Sequence, residues 1–497
     1  MLRRQWCWLR SGITVVVLTF VYTILRTKVN AYRTAALWRK PVFLKPFRRA
    51  LTVNVSGSGD GSAAQMRFLS TRWARQEALS TDFSRTYVQL DEVFNCLLRP
   101  DSGVLTIHKP LVEEFYLFAS HCHTLVKSHD HHSYNLRHNN NNNNKNTSNN
   151  KICASSRSSY QFIESALESL QGIVVNSRSL RCLTLGYVQD LTDRADVLLP
   201  LLARHQPNSL TTLGLASIKY DPNSYALLDI TPDHFTAFRS LQVLSLDYDY
   251  MSDRLLSILS TPYNTPLRRL ILNVHGIDQT HRGTTDYCWH RLKHQHPQCN
   301  LYLNLIHSYD GVELLSSGLL HPSMPLTNFR AFFCEWINIP SLRLLATWYS
   351  DSLRELMLVD SLDHSGWGML TEGRDNADHQ SPDPLVMLAW RCKNLKNLTV
   401  CGYGYNGSDV VAIARLRGSA LSTLIIPEDC LEVDDSHELA NQEDIDNIAE
   451  DVSGGLARTW RPVTLSEMHP CLRTTSSADT DHYMLPILHQ DLILTTC

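Results

Sequence analysis

Several sequence signatures of common functional classes are missing from this chain of 497 residues. It contains no GxSxG and no HExxH, so neither the nucleophile turn of a serine hydrolase nor the helix of a zinc protease is encoded. Its 13 cysteines are odd in number and never spaced as CxxC, which argues against a disulfide framework or a zinc ribbon and favours a reducing compartment. The net charge of −3 gives no general attraction for nucleic acid. We therefore expect a protein that is not an enzyme and holds no cofactor or metal.

The first 59 residues lack Asp and Glu altogether but carry eleven Lys or Arg. These basic residues flank an apolar run from Ile13 to Leu25, which is shorter than the roughly twenty residues that a membrane-spanning helix needs. Residues 12–25 are therefore either a membrane helix or part of an atypical N-terminus. If they span, the basic residues that follow keep the C-terminal bulk in the cytosol. We expect a cytoplasmic or nuclear protein, or else a single-pass membrane protein with cytosolic repeats.

The phrase LxxLxL recurs through residues 180–426. Its copies are Leu180-Leu183-Leu185, Leu210-Leu213-Leu215, Leu241-Leu244-Leu246, Leu267-Leu270-Leu272, Leu353-Leu356-Leu358, Leu395-Leu398-Val400 and Leu421-Leu424-Ile426, with weaker ones at Leu301-Leu303-Leu305 and Leu326-Phe329-Ala331. In each copy, alternate apolar residues of a short strand would point into a core and the residues between them outward. One strand cannot bury its apolar edge alone. The pattern predicts an α/β leucine-rich-repeat solenoid, in which a curved parallel sheet carries helices on its convex side.

Helix start signals follow several of these strands, at Ser252-Asp253, Pro340 and Ser408-Asp409. A further helix is predicted from Asp286 to Gln295, with Trp289 and Leu292 on its inward side. The longest step between repeats contains Asp360 to Pro384, which is rich in Asp, Gly, Ser and Pro and is typical of an inserted loop.

One segment matches the GxGxxG pattern of dinucleotide-binding proteins. Gly402, Gly404 and Gly407 lie between a predicted strand and a predicted helix, which is the context that this pattern requires. A leucine-rich repeat also needs a tight turn at this place, however, and the next strand arrives in register at Leu421. The repeat explains the glycines better, although an NAD-type oxidoreductase remains an alternative hypothesis.

Two groups of residues could supply zinc ligands. One consists of Cys288, His290, His294, His296 and Cys299, and the other of His121, Cys122, His123, His129, His131 and His132. In the first group, the helix predicted from Asp286 to Gln295 turns most of the histidines toward solvent. The second lies beside an asparagine run, where no fold would hold the ligands at one point. We expect neither group to bind metal.

The stretch from Ile24 to Lys40 resembles the closing third of an F-box. Leu37, Trp38 and Arg39 fit its L-W-R ending and Arg26 falls on its basic position, whereas the L-P-x-E-(L/I) opening of an F-box is not recognisable. Later segments resemble the F-box-only proteins with degenerate leucine-rich repeats, in the subgroup of F-box-only proteins thirty-three and thirty-nine. The block from Trp390 to Leu416 carries this likeness most specifically.

This resemblance implies a non-catalytic substrate-recognition adaptor of an SCF-type E3 ubiquitin ligase. In that family the F-box binds Skp1, Skp1 connects to a cullin-RING ligase, and the repeats hold a target protein for ubiquitination. Leu37 and Trp38 would be the Skp1-side anchors, with Leu25 as a weaker one, while the target and the residues that bind it stay unknown. The alternative is a leucine-rich-repeat scaffold that binds proteins, with or without a membrane tether, and has no link to a ligase.

The predicted organisation has six parts. They are a hydrophobic N-terminal helix (1–26), an F-box-like remnant (27–45), irregular first repeats (46–135), an Asn-rich disordered linker (136–158), the solenoid (159–430) and an acidic, partly disordered tail (431–497).

Overall fold

The computed structural model describes residues 164–492, apart from 165–166, 169, 178, 226, 228–229, 263, 277–280, 363–382, 434–437 and 474–479, together with three short strands at 51–55, 62–66 and 114–116. The chain divides into two compact units. The first comprises Met1–Ser217, Leu228–Leu241 and Leu485–Cys497, and the second comprises Ile218–Leu227 and Gln242–Met484. Leu25, Leu37 and Trp38, the apolar run at 12–25, the histidine group at 121–132 and the Asn-rich linker all lie outside the described residues.

Within the residues that the structure describes, the first unit contains short strands and helices. They include β1 (Leu51–Val55), β2 (Ser62–Met66), β3 (Glu114–Tyr116), β4 (Cys182–Thr184), β5 (Tyr187–Val188), α1 (Gln189–Thr192), α2 (Ala195–His205) and β6 (Thr212–Gly214), and β7 (Ser217–Ile218) begins at the boundary of the unit. β3, β4 and β6 pair in parallel, and that residues 46–135 form irregular first repeats stays a prediction. β1 and β2 instead pair antiparallel, as no repeat strands do.

The core of the first unit is built from the predicted leucines. Leu183 of β4 pairs with Leu213 of β6, and both are fully buried. Residues 485–492 belong to this unit and pack on β5, because the Tyr187 hydroxyl donates a hydrogen bond of 2.9 Å to the Leu488 carbonyl. The ring of His489 lies 5.1 Å from that of Tyr187.

The second unit alternates strands and helices. Its elements are β8 (Val243–Asp247), α3 (Asp253–Leu259), β9 (Arg269–Val274), α4 (Asp286–Gln295), β10 (Asn300–Ile306), α5 (Tyr309–Leu314), β11 (Leu326–Phe332), α6 (Ile339–Trp348), β12 (Glu355–Val359), α7 (Pro384–Arg391), β13 (Asn397–Cys401), β14 (Tyr405–Asn406), α8 (Gly407–Arg417), β15 (Thr423–Ile425), β16 (Leu431–Val433), β17 (Glu438–Leu439), α9 (Gln442–Leu456), α10 (Pro470–Arg473) and α11 (Thr480–Leu492), the last of which continues beyond this unit.

Seven strands of this unit form one parallel sheet in the order β8-β9-β10-β11-β12-β13-β15. The inward residues Leu246, Leu272, Leu303, Phe329, Leu356, Leu398 and Leu424 occupy one continuous rung and are buried. Neighbouring helices pack on each other, α3 with α4 and α6 with α7. Parallel strands joined through helices place those helices on one face of the sheet. The predicted α/β leucine-rich-repeat fold is confirmed.

Most of the predicted helix starts are confirmed. Ser252 caps α3, since its hydroxyl accepts a hydrogen bond of 3.2 Å from the Leu255 N–H, and Pro340 lies in the first turn of α6 behind the cap Asn338. The predicted bounds of α4 are those observed. The predicted cap at Ser408 is wrong. Asn406 caps α8 instead, because its carboxamide oxygen accepts from the Ser408 N–H at 2.8 Å and so places Ser408 inside the first turn.

The described parts of residues 431–492 include helices and short strands. α9 begins with a capping box at Asn441, and its early acidic residues favour the positive end of a helix. Val452 and Leu456 are four residues apart and fully buried, and α9 packs on α8. The Trp460 indole N–H donates to the Leu424 carbonyl at 2.9 Å, which ties this region to the last strand of the sheet. No helix within the described residues is both long enough and apolar enough to cross a membrane.

Candidate protein-binding face

The second unit presents an outward sheet face, opposite the core, on which strand pairing aligns side chains into rows. The register defines three rows, which we name in order from the amino to the carboxyl ends of the strands. We define the first row as Tyr302, Asn328, Glu355, Asn397 and Thr423, which the buried Ile271 and Ser245 continue on β9 and β8. The second row is Asn273, Asn304, Arg330, Met357 and Thr399, with Asp247 and Ile425 at its two ends. The third row is Ile306, Phe332, Val359 and Cys401. Neighbouring members of a row stand about 4.8 Å apart.

The third row is apolar and buried, although it faces away from the core. Phe332 and Val359 are fully buried, and Cys401 is 3% exposed. The cover is supplied by residues 469–473 and 480–484 of the same unit, which we call the C-terminal segment. The ring of Tyr483 lies 6.4 Å from the Phe332 ring at 75°, an edge-to-face arrangement that aromatic pairs favour.

Further contacts fix the C-terminal segment in place. The Thr480 hydroxyl is 3.2 Å from Nε2 of His307, the residue directly after β10. The Leu362 N–H donates to the Leu472 carbonyl at 2.9 Å, and the His469 ring lies 5.8 Å from that of Tyr483. Burial raises the pKa of the Tyr483 hydroxyl well above its ordinary value. The segment is thus a packed part of the unit, and it closes the carboxyl side of the face.

The second row is a polar ladder. Nδ2 of Asn304 donates to Oδ1 of Asn273 at 3.0 Å, and the Arg330 guanidinium lies 3.5 Å from Oδ1 of Asn304. Asn273, Asn304 and Arg330 are all buried. Buried polar groups need such partners, because each one left without a partner costs about 1–3 kcal/mol.

An ion pair joins the second row to the first. Nε of Arg330 lies 2.5 Å from Oε1 of Glu355, and Nδ2 of Asn397 donates to Oε2 of Glu355 at 3.3 Å. Burial by itself raises the pKa of Glu355, but the charge of Arg330 and the hydrogen bonds outweigh it and hold this pKa below its ordinary value. Glu355 is therefore ionised at neutral pH, and its charge is matched by Arg330.

The first row is the accessible part of the face. Its five side chains are all partly exposed. Tyr302 lies between two guanidinium groups, with Cζ of Arg269 at 5.4 Å and Cζ of Arg330 at 5.5 Å from its ring centroid. Such contacts are favourable cation–π interactions. The row therefore offers an aromatic ring, two carboxamides and a hydroxyl to a partner.

A basic rim borders the first row. It consists of Arg268, Arg354 and Lys396, each directly before a strand and each exposed. The backbone pairs two of these residues on adjacent strands, since the Lys396 N–H donates to the Arg354 carbonyl at 2.8 Å. The rim thus gives the amino side of the face a positive border.

A separate charged cluster lies at the β8 end of the unit. Nζ of Lys219 is 3.1 Å from Oδ2 of Asp247, and both side chains are 1% exposed. Nearby, the Tyr225 hydroxyl is 2.9 Å from Oδ2 of Asp249. Burial raises the pKa of Asp249 to about 6, although the Tyr225 hydrogen bond opposes this. Lys219 and Asp247 are enclosed, whereas Tyr225 and Asp249 are partly exposed.

The two clusters with ligand-like chemistry have structural explanations. Gly402 adopts φ +81°, and a Cβ there would stand 2.5 Å from the Asp360 carbonyl oxygen, so the turn requires glycine. His290 and His294 are exposed as predicted, but His296 is buried and its ring nitrogens lie 3.2 Å from the Leu267 N and 2.9 Å from the Leu259 carbonyl. Burial lowers the pKa of His296. No group of three or more metal-ligating side chains is found within the part of the chain that the structure describes.

The sequence left the residues that bind a target protein unknown, and the first row and the basic rim now supply candidates. The signal was present in the sequence, because the residues between the repeat leucines must face outward. Exposure along that face could not be read from the repeats, since the C-terminal segment covers only one side of it.

Comparisons with known proteins add the family context. No protein-family model matches the chain. It is similar to F-box only protein 33 of Homo sapiens, with 29% identity over 313 residues that cover 61% of this chain and 53% of that protein. The Mus musculus protein of the same name is 29% identical over 311 residues, covering 61% of this chain and 52% of that protein. The chain spans about half the length of the curated relatives it matches.

Among solved structures, an internalin from Listeria monocytogenes aligns with a TM-score of 0.26 at 15% identity, covering 59% of this chain and 69% of that one. The predicted resemblance to F-box-only protein thirty-three is confirmed, and the likeness to thirty-nine stays a prediction. By sequence, this chain is similar to F-box only protein 33.

Proposed function

We propose that this chain is a substrate-recognition adaptor of an SCF-type E3 ubiquitin ligase. In this role it binds Skp1, and through it a cullin-RING ligase, with Leu37 and Trp38 as the main contacts and Leu25 as a weaker one. Its repeats hold a target protein. The observation that carries the proposal is the similarity to F-box only protein 33 over 61% of the chain.

The physical action of such an adaptor is positioning. A target held on the repeats meets the ubiquitin-loaded enzyme at a high effective concentration, so the adaptor speeds transfer without forming a bond itself. The outward face of the second unit suits this role, because its first row offers side chains of several chemistries on a rigid parallel sheet. The chain is then a non-catalytic subunit and needs no cofactor.

Affinity purification of the tagged full-length chain from human cells tests the proposal. We expect Skp1 and a cullin to co-purify, and we expect the double variant Leu37→Ala, Trp38→Ala to lose both. A matched control is the pair Trp390→Ala and Leu416→Ala, because these side chains are 64% and 45% exposed on α7 and α8. The control should retain both partners.

Two results would contradict the proposed binding of Skp1 through Leu37 and Trp38. If the folded wild-type chain recovers neither Skp1 nor a cullin, the ligase function is wrong and a protein-binding scaffold replaces it. If the control pair loses the partners and the Leu37–Trp38 pair keeps them, Skp1 contacts the helices of the repeats instead.

A further inference from the structure

The outward face of the second unit is divided between an occupied side and an accessible side. The C-terminal segment fills the third row through Tyr483 and Thr480, so a partner meets a closed surface there. The first row, in contrast, is partly exposed along five consecutive strands. Five strands at about 4.8 Å spacing span about 19 Å, which corresponds to roughly six residues of extended chain.

Apart from Glu355, the charged side chains along this accessible side are positive. Arg268, Arg354 and Lys396 form the exposed rim, and Arg269 adds a fourth cation beside Tyr302. The single acid of the first row is Glu355, and Arg330 neutralises it at 2.5 Å. A negatively charged partner therefore meets attraction along the rim and no uncompensated carboxylate within the first row.

The neutral members of the first row add the hydrogen-bonding groups that an extended polypeptide needs. Asn328 and Asn397 each carry a carboxamide, which both donates and accepts, and Thr423 carries a hydroxyl. Tyr302, whose ring is contacted by Arg269 and Arg330, adds a phenolic hydroxyl. Amide groups in a row match the backbone of a peptide better than they match a compact small ion.

We propose that the first row and the basic rim form the docking surface for an acidic extended segment of the target protein. This inference rests on the proposed function for its biological meaning, but the surface itself is defined by the second unit alone. The partner is identified by its chemistry, as a stretch of about six residues in which Asp or Glu recurs.

Binding of a defined probe to the full-length chain tests the surface. The probe is a fluorescein-labelled peptide of alternating glutamate and glycine, compared with peptides in which glutamine or lysine replaces glutamate. Fluorescence anisotropy should show saturable binding of the acidic peptide alone, weakening as salt is raised. The triple variant Arg268→Glu, Arg354→Glu, Lys396→Glu should lose affinity by about tenfold or more, because three attractive charges become repulsive.

A matched variant controls for net charge. Arg282, Arg291 and Lys293 are exposed residues of α4 and the loop before it, and their replacement by Glu changes the net charge by the same amount. This control should bind the acidic peptide within about twofold of wild type. Equal loss in both variants, or no loss in the rim variant, would overturn the proposal. Competition by oligothymidylate as strong as that by the acidic peptide would also overturn it, because the rim would then be a general polyanion site.

Skp1 recovery separates this proposal from the proposed function. The rim variant should co-purify Skp1 as wild type does, since the Skp1 contacts are assigned to Leu37 and Trp38. Peptide binding without Skp1 would leave the docking surface standing and remove the ligase role. Skp1 recovery without peptide binding would remove the docking surface and leave the ligase role standing.

Discussion

The carboxyl and amino sides of one sheet face differ sharply within the second unit. Both are built from the same strands and point away from the same leucine core, yet the third row is apolar and covered, while the first row is polar and partly exposed. The difference arises from the C-terminal segment, which packs Tyr483 against Phe332. Strand alternation therefore decides which side chains leave the core, and a distant segment decides which of them meet a partner.

The largest expected effect comes from truncating a third-row side chain. Phe332→Ala removes a fully buried ring and should lower the free energy of unfolding by about 3–5 kcal/mol, as large-to-small changes at buried sites do. Asn328→Ala, on the same strand but in the first row, should cost less than about 1 kcal/mol. Urea denaturation of both variants measures the contrast, and equal losses would contradict the division of the face.

The next effect comes from the ion pair between the rows. Arg330→Met leaves the carboxylate of Glu355 without its cation, and because Glu355 keeps some solvent contact the expected loss is about 2–3 kcal/mol at neutral pH. Adding Glu355→Leu to Arg330→Met should recover most of the lost stability. Arg415→Met, which breaks the exposed pair with Asp451, should change stability by less than about 0.5 kcal/mol. A double variant no more stable than Arg330→Met would contradict this account.

A smaller effect depends on pH. Burial raises the pKa of Asp249 to about 6, above the value of about 4 expected when unfolded. Between these values the folded chain holds more protons than the unfolded chain, so this group makes the free energy of unfolding fall as pH rises toward 6. Asp249→Asn should flatten that fall by about 1–2 kcal/mol after allowance for solvent screening. Thermal denaturation of both chains between pH 4 and 7 measures this difference. An unchanged pH profile in Asp249→Asn would show that the folded chain leaves the pKa of Asp249 at its ordinary value.

The contribution of Glu355 to the pH dependence of stability has the opposite sign to that of Asp249. Arg330 holds its pKa below the unfolded value, so its contribution is present at neutral pH and is lost as pH falls through that lowered pKa. The two carboxylates therefore act in different pH windows, and Asp249→Asn should leave the acid side of the profile unchanged.

The smallest expected effect is at the basic rim. Arg354→Ala and Lys396→Ala remove exposed side chains and should each change the free energy of unfolding by less than about 0.5 kcal/mol. The same changes should weaken binding of the acidic peptide. A large loss of stability in either variant would show that the rim has a structural role.

Much of the architecture could be predicted from local pattern. The LxxLxL phrase identified Leu272, Leu356 and Leu398 as core residues, and the apolar spacing of α4 set its bounds, because both depend on neighbours a few residues away. The cap of α8 was misplaced because Asn406 and Ser408 both favour cap positions and only the backbone distinguishes them.

The cover over the third row could not be predicted. Phe332 and Tyr483 are separated by about 150 residues of sequence, and no local period records a contact of that length. The acidic run before Asp451 also concealed the buried pair Val452 and Leu456, since its composition resembles a solvated tail. The candidate docking surface is the part of the face that this cover leaves accessible.

The thiol of Cys401 tests the central claim most directly, because it is a third-row residue buried under the C-terminal segment. Maleimide labelling read by mass spectrometry should find Cys401 protected in the native full-length chain and labelled in Tyr483→Asp. Cys299, which is buried in the same unit with its pKa raised to about 12 by burial, should stay protected in both and so report an intact fold. Rapid labelling of Cys401 in the wild-type chain while Cys299 stays protected would contradict the account.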